Sequence, residues 1–268
     1  MEDSSQILWP RYFIHLAYDG GNFHGWQRQP NAESVQSVLE AALCKILRQD
    51  KVITIGCGRT DTGVHATSFY AHFNAEREIT DTEETLFRLN QVLPSAISIF
   101  ELFQVGDKCH SRFDAMERSY EYFLHQRKDP FFYGRSMFYP YALDFDAMNQ
   151  AAKCLVRKGD FSSFCKSGGG QKTNICDVRN AYWKMNESGQ WVFYITADRF
   201  LRNMVRAVVG TLLEVGRGKI SQQEMEAILE AKERGAAGES VYACGLYLTE
   251  VKYPYIEKGK YVDGGKSI

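Results

Sequence analysis

Nine consecutive residues, 58–66 (Gly-Arg-Thr-Asp-Thr-Gly-Val-His-Ala), combine a guanidinium, a carboxylate and two hydroxyls on a segment bounded by glycines. Strand-like runs at 52–55 and 69–73 bracket the segment. Loops held between strands commonly present reactive side chains. Asp61 stands two residues after Arg59 on this loop, and the pattern predicts a carboxylate that is held in place.

Three interpretations of this loop compete. The first is a surface ion pair between Arg59 and Asp61, which stabilises by about 0–1 kcal/mol. The second is a metal site, because Asp61 and His65 are four residues apart and would share one face of a helix; the glycines and β-branched residues disfavour a helix, and no further acid or histidine lies close by. The third is a nucleophilic or acid–base Asp61 that Arg59 keeps ionised.

The composition is that of an ordinary globular protein of one large or two medium domains, with 268 residues, 44% of them hydrophobic and 24% charged. No apolar run approaches the roughly 20 residues that span a bilayer, and the acidic N-terminus is not a secretory signal. The seven cysteines form no Cys-x-x-Cys pair, so we expect neither zinc nor disulfides, and a reduced, cytoplasmic location.

The net charge of −1 does not indicate a nucleic-acid-binding protein. A polyanionic partner would therefore have to bind a local basic segment. One candidate runs from Arg199 to Lys219, and a looser one from Arg157 to Arg179. Either segment is also consistent with an ordinary solvated face.

The hydrophobic periodicity predicts two similar α/β halves, residues 1–108 and 109–255, followed by a disordered tail, 256–268. The elements of the first half have the order β-α-β-β-α-β of ferredoxin-like or RRM-like units: strand 11–18, a helix from Ser34, strands near 52–57 and 68–74, a helix from Asp81 to Pro94, and a strand near 97–105. Those of the second half are strand 119–126, helix 145–157, strands 178–185 and 191–197, helices 202–215 and 221–231, and strand 244–251. We expect one extended, mostly antiparallel sheet with helices packed on it and a cleft along the junction.

Four further stretches have chemical content. Residues 22–29 interleave aromatic with polar and basic groups, including Gln27 and Arg28, and suit either base stacking or anchoring of a loop to the core. Residues 118–122 place two tyrosines on one face of a strand. Arg202 and Arg206 are four residues apart on a predicted helix, where they would stack and meet acids or phosphates. Residues 167–173 fail the phosphate-loop spacing, so we read them as a flexible loop and expect no nucleotide cofactor.

Together these motifs resemble those of the tRNA pseudouridine synthase A (TruA) family. The resemblance rests on Gly58–Ala66 and on four other stretches in the same order, covering roughly residues 11–250. These are Tyr18-Asp-Gly with Phe23-His-Gly-Trp-Gln27, Arg118-Ser-Tyr-Glu-Tyr122, Asp160-Phe-Ser-Ser-Phe164 and Phe200-Leu-Arg-Asn-Met-Val-Arg206. Cys57 and Thr62 depart from the small residues usual in the family, which puts the fine positioning of the loop in question.

The resemblance implies the pseudouridine synthase fold and isomerisation of uridines 38, 39 and 40 in the anticodon stem-loop of tRNA, by a homodimer without cofactor or metal. By the same resemblance, Asp61 falls on the catalytic aspartate, Arg59 on its neighbour, Tyr120 on the tyrosine that packs on the target base, and Arg206 on a basic partner of the aspartate.

The remaining residues expected to contact RNA are His65, Arg202, Gln27 and Arg28, on the strength of their places in these motifs. No membrane association is expected. Two other function classes remain open at this point: a non-catalytic RNA-binding protein built from two RRM-like halves, and a metal-dependent hydrolase that uses Asp61 and His65.

Overall fold

The computed structural model describes residues 9–166, 168, 172–257 and 260–262. The chain forms two compact units. The first contains the described residues of Met1–Thr62, Ala66–Ala115 and Val251–Ile268, and the second contains Gly63–His65 and Met116–Glu250. Among the described residues, no helix combines the length and the apolar character that crossing a bilayer requires.

The first unit carries a mostly antiparallel sheet with two helices. Its elements are β1 (Arg11–Tyr18), α1 (Val35–Leu47), β2 (Ile55–Gly56), β3 (His65–Asn74), α2 (Thr82–Val92) and β4 (Ile97–Val105). The strand order is β4-β1-β3, with β2 paired to β3. The predicted order β-α-β-β-α-β is confirmed for this unit.

Local capping explains why the helices of the first unit begin where the sequence predicts. Ser34 accepts a hydrogen bond from the backbone N–H of Ser37, and its own N–H donates to the Ser37 hydroxyl. Asp81 accepts from the N–H of Glu84 in the same way. Such caps satisfy backbone donors that have no partner within the helix. Both helix starts are thus determined by residues adjacent in sequence.

The second unit also combines a mostly antiparallel sheet with helices, and it has more strands than the first. Its elements are β5 (Glu117–His125), β6 (Met137–Phe138), α3 (Phe145–Ala152), β7 (Lys158–Asp160), β8 (Ile175–Met185), β9 (Trp191–Ala197), α4 (Met204–Gly216), α5 (Gln222–Ala231) and β10 (Leu246–Lys252). The strand order is β10-β5-β9-β8-β7, and the short β6 pairs with β5 in parallel. The mixed α/β class, with mostly antiparallel strands and helices packed on them, is confirmed.

Several predicted elements differ from the structure. The strand near 52–57 shrinks to β2 because the backbone N–H of Thr54 donates to the carboxylate of Glu40, at 2.8 Å, and not to a neighbouring strand. The helix predicted over 145–157 ends at Ala152 and continues as a 3-10 turn. The helix predicted from residue 202 begins at Met204, because Asn203 adopts a left-handed φ of 64°. Strand 244–251 begins instead at Leu246.

The C-terminal residues belong to the first unit. The ring of Tyr253 packs edge-on against Phe13 at 5.7 Å, and its hydroxyl donates to the carbonyl of Ser111. The hydroxyl of Tyr255 donates to Asp114 at 2.8 Å. Residues 109–115 and 251–255 therefore lie in the first unit, whereas the sequence places them in the second half.

The prediction of a disordered tail from residue 256 is wrong for the described part of that tail. Ile256–Glu257 (β11) pairs with Lys260–Tyr261 (β12) in a short antiparallel hairpin. The ring of Tyr261 contacts Tyr255, which holds the hairpin on the first unit. Residues 258–259 and 263–268 lie outside the described residues, as do 167 and 169–171 of the predicted flexible loop.

Candidate active site

The loop that carries Asp61 is fixed through the residue before it. Thr60 is 8% exposed, and its hydroxyl lies 2.9 Å from the hydroxyl of Tyr18 at the end of β1. Arg59 is exposed and Asp61 is partly exposed. The buried threonine therefore anchors the loop while the charged side chains on either side of it remain accessible.

Of the two glycines that bound the loop, only one is required by the backbone. Gly63 has a φ of 77°, a conformation that side chains disfavour. A Cβ atom on Gly58 would meet no atom within 4 Å. The left-handed turn at Gly63 thus ends the loop and starts the approach to β3.

A second loop, residues 22–29, packs against the first. The backbone N–H of Trp26 donates to the carbonyl of Thr60 at 3.3 Å. Gly25 has a φ of 82°, and a Cβ atom there would lie 2.4 Å from the Thr60 oxygen. The indole of Trp26 stacks on Phe69 at 4.2 Å. Only glycine permits this approach, so the motif Gly25-Trp26 supports the backbone next to Asp61.

The two aromatic residues of that second loop are buried in the core. Phe23 and Trp26 are each 3% exposed, so of the two interpretations the structure supports anchoring, not base stacking. Gln27 and Arg28 are exposed. The guanidinium of Arg28 is held 2.9 Å from the carboxylate of Glu40, whose side chain is 5% exposed.

Glu40 was not found by sequence reasoning, although it joins three segments of the first unit. Its Oε1 accepts hydrogen bonds from the Thr54 N–H, the Thr54 hydroxyl and the Gln36 amide at 2.8, 3.1 and 3.0 Å. Gln36 in turn accepts from the N–H of Arg28 and donates to the Thr54 carbonyl. The sequence offered one signal for Glu40, which is an acidic residue on the inner face of an amphipathic helix.

The two tyrosines of β5 share a face, as predicted, but differ in environment. Tyr120 is 9% exposed and packs edge-on against Phe200 at 4.9 Å. Tyr122 is completely buried, and its hydroxyl donates to the carbonyl of Tyr242 at 2.8 Å. Burial raises the pKa of Tyr122 well above its ordinary value. Of the pair, Tyr120 is the one near the surface.

The prediction that Arg202 and Arg206 lie four residues apart on one helix is wrong, because α4 begins at Met204. Arg202 precedes the helix, because Asn203 interrupts the helical backbone, and its side chain is exposed. Arg206 lies in the first turn, where its Nε donates to the carbonyl of Val241 at 2.7 Å. This bond fixes the plane of the Arg206 guanidinium.

His65 is buried at the end of the glycine-bounded segment. It is 2% exposed and stacks on Tyr247 at 4.5 Å with an interplanar angle of 16°. Its position does not support the predicted contact with RNA, and packing accounts for its presence. No group of three His, Cys, Asp or Glu residues suited to a metal ion occurs in the described parts of the chain.

Several cations of the two predicted basic segments are paired with acids. Arg217 and Lys219 both pair with Glu214 near the end of α4, at 3.2 and 2.9 Å. They are separated from Arg206 by most of a helix about 20 Å long. In the looser segment, Arg157 pairs with Glu230 and Arg179 with Glu117.

A family model described as tRNA pseudouridine synthase matches residues 15–114 and 151–254. The chain belongs to the tRNA pseudouridine synthase family. The matched ranges include Arg59, Asp61 and Arg206, whereas Tyr120 lies between them.

Curated relatives with the name tRNA pseudouridine synthase A align with nearly the whole length of this chain. The tRNA pseudouridine synthase A of Bacteroides fragilis is 48% identical over 248 residues, which cover 91% of this chain and 96% of the relative. That of Bacteroides thetaiotaomicron is 49% identical over 248 residues, 91% of each chain. A more distant synthase from Bacillus pumilus is 37% identical over 241 residues, 89% of this chain and 97% of its own.

Proposed function

We propose that the protein isomerises uridine to pseudouridine at positions 38–40 in the anticodon stem-loop of tRNA. Membership of the tRNA pseudouridine synthase family, together with an Asp61 loop fixed at Thr60, is the observation that supports this most strongly. The reaction breaks the bond between uracil N1 and the sugar and forms one between C5 and the sugar. The C5 proton leaves and N1 gains a proton, so nothing is oxidised and no group is exchanged.

Asp61 is the proposed catalytic residue. A single carboxylate can start this reaction by adding covalently or by taking the C2′ proton of the sugar. Both routes need the carboxylate to be accessible and its backbone to be fixed. The partly exposed Asp61 next to the anchored Thr60 meets both needs.

Three further residues have proposed roles in the reaction, on the basis of the family resemblance. Arg59, which is exposed two residues before Asp61, occupies the place of the extruded base. Arg206, whose guanidinium plane is set by Val241, supplies a second cation. Tyr120 stacks on the extruded base, and its hydroxyl is the candidate proton carrier at C5.

The remaining expectations come from the family resemblance and stay proposals. The protein acts in the cytoplasm as a homodimer and needs no cofactor or metal. Arg202, Gln27 and Arg28 contact RNA through their exposed side chains. Because the two arginines would contact phosphates, tRNA binding weakens as the salt concentration rises.

Substitution Asp61→Asn tests the function. We expect the rate of pseudouridine formation in tRNA to fall by at least about 100-fold, since a general base or nucleophile is lost, while tRNA binding is retained. The matched control is Asp107→Asn, an exposed acid in a turn of the same unit, which should leave the rate unchanged.

Three results would contradict the proposal. A near wild-type rate in Asp61→Asn would remove Asp61 from the chemistry. Tight tRNA binding by the wild-type protein with no pseudouridine formed would favour an RNA-binding protein without catalysis. Loss of activity in EDTA would favour a metal-dependent enzyme.

A further inference from the structure

The segment that joins β5 to α3 holds aromatic side chains in solvent. Within this aromatic segment, residues 126–141, Phe131 is 88% and Tyr133 is 89% exposed. These are the two highest exposed fractions among the large hydrophobic side chains of the described residues. Tyr141 is 66% and Phe138 46% exposed. Folding alone does not explain so much apolar area in water, since contiguous exposed apolar patches usually mark binding sites.

An ordered backbone presents these rings. Asp129 accepts a hydrogen bond from the N–H of Phe131 at 2.8 Å and caps a 3-10 turn over Pro130–Phe132. The N–H groups of Arg135 and Ser136 both donate to the carbonyl of Phe132. Phe131 and Tyr133 therefore project from a fixed turn, which lowers the entropy cost of binding a ligand.

A buried histidine anchors this turn to the unit. His125, at the end of β5, lies 3.0 Å from the hydroxyl of Ser136 and packs edge-on against Phe132 at 5.4 Å. Its backbone carbonyl accepts from the N–H of Tyr139 at 2.8 Å. The turn thus closes back onto the strand that carries Tyr120.

The charge of the aromatic segment is positive in a chain of net charge −1. Arg127, Lys128 and Arg135 are exposed on it, against one acid. That acid is Asp129, which is engaged as the cap of the turn. A polyanion would meet an excess of two positive charges beside two accessible ring faces.

We propose that the aromatic segment is an RNA-binding site in which Phe131 and Tyr133 stack on unpaired bases and the neighbouring cations contact phosphates. Rings interleaved with cations are the usual means of binding single-stranded RNA. A protein interface would explain the exposed rings but not the excess of two positive charges beside them. The segment lies between the two ranges that the family model matches. The proposal rests on tRNA being the substrate.

The test measures the Kd of unmodified tRNA by filter binding for Phe131→Ala/Tyr133→Ala and for Arg127→Gln/Lys128→Gln. The double substitution Phe131→Ala/Tyr133→Ala should raise Kd by about tenfold or more, because stacking on the bases is lost. The double substitution Arg127→Gln/Lys128→Gln should reduce the slope of log Kd against log salt concentration by about 1.4 to 1.8, because two phosphate contacts are lost. At saturating protein, the single-turnover rate of either variant should equal that of wild type.

The matched control is Phe87→Ala, which removes an aromatic residue that is 60% exposed on α2, a helix with acids in its first turn. It should leave Kd unchanged. All variants are compared with wild type by circular dichroism and sedimentation. Because Kd is measured directly, the site can be tested even if no pseudouridine forms.

Two outcomes overturn the proposal. The first is an unchanged Kd in both double variants. The second is a shift of Phe131→Ala/Tyr133→Ala to a smaller sedimenting species, which would assign the aromatic segment to contact with a second copy of the chain.

Discussion

Thr60 shows how a residue without reactive chemistry determines what its neighbour can do. Its hydroxyl lies within hydrogen-bonding distance of the Tyr18 hydroxyl, and its carbonyl accepts a hydrogen bond from the N–H of Trp26. Both the side chain and the backbone of the residue before Asp61 are therefore held in place. The Arg-x-Asp pattern was readable from the sequence because its members are adjacent. The role of Thr60 was not, since Tyr18 lies 42 residues away.

His72 is a second residue whose importance comes from its surroundings. It is 3% exposed, and its Nδ1 lies 2.8 Å from the hydroxyl of Ser111, which donates to the carbonyl of Ile55. Burial, reinforced by Arg11 and His110, lowers the pKa of His72 to about 3. The folded protein thus holds His72 neutral at pH values where the unfolded chain binds a proton.

This depressed pKa predicts a loss of stability in acid. His72 stabilises the fold fully above its unfolded pKa of about 6.5, and this contribution falls as the pH drops towards 3. Between pH 7 and pH 4.5 we expect His72 to account for about 2–3 kcal/mol of lost unfolding free energy. Urea unfolding of wild type and His72→Gln at both pH values measures it. An equal loss in the two proteins would contradict the assignment.

At the scale of elements, the sequence predicted best what is determined locally. The starts of α1, α2 and α5 follow from capping residues Ser34, Asp81 and Ser221. The elements that differed depend on distant partners or unusual backbone. The strand before β2 is interrupted by the carboxylate of Glu40, and α4 is delayed by the left-handed Asn203.

Glu40 yields a prediction for α1. Substitution Glu40→Leu leaves the Thr54 and Gln36 donors without their acceptor, and we expect it to cost about 2–4 kcal/mol of unfolding free energy. Glu40→Gln keeps one acceptor and should cost less than half as much. Urea midpoints of both variants measure the difference.

The control for Glu40 is Arg28→Ala. The Arg28 side chain is 61% exposed, so its loss should cost at most about 1 kcal/mol. If Glu40→Leu is as stable as wild type, Glu40 does not hold these segments together.

At the scale of the whole molecule, the first unit is discontinuous in sequence. Tyr253 and Tyr255 are 4% and 9% exposed, and both pack on Phe13 of β1. Hydrophobic periodicity places these residues in the second half, because it identifies a strand without identifying the unit against which the following residues pack.

This discontinuity predicts a large effect from one residue near the C-terminus. Tyr253→Ala removes a buried ring and should cost about 3–5 kcal/mol. Tyr253→Phe removes only the hydrogen bond to Ser111 and should cost about 0.5–1.5 kcal/mol. Thermal and urea unfolding measure both changes, and equal costs would show that packing on Phe13 is unimportant.

The same closing segment has a consequence for synthesis of the protein on the ribosome. Chains emerge from the N-terminus, and domains generally fold as they emerge. Here the unit that bears Asp61 waits for Tyr253 and Tyr255, which leave the ribosome after the entire second unit. A chain that terminates before Tyr253 would contain every residue of the Asp61 loop and still lack the tyrosines that pack on Phe13.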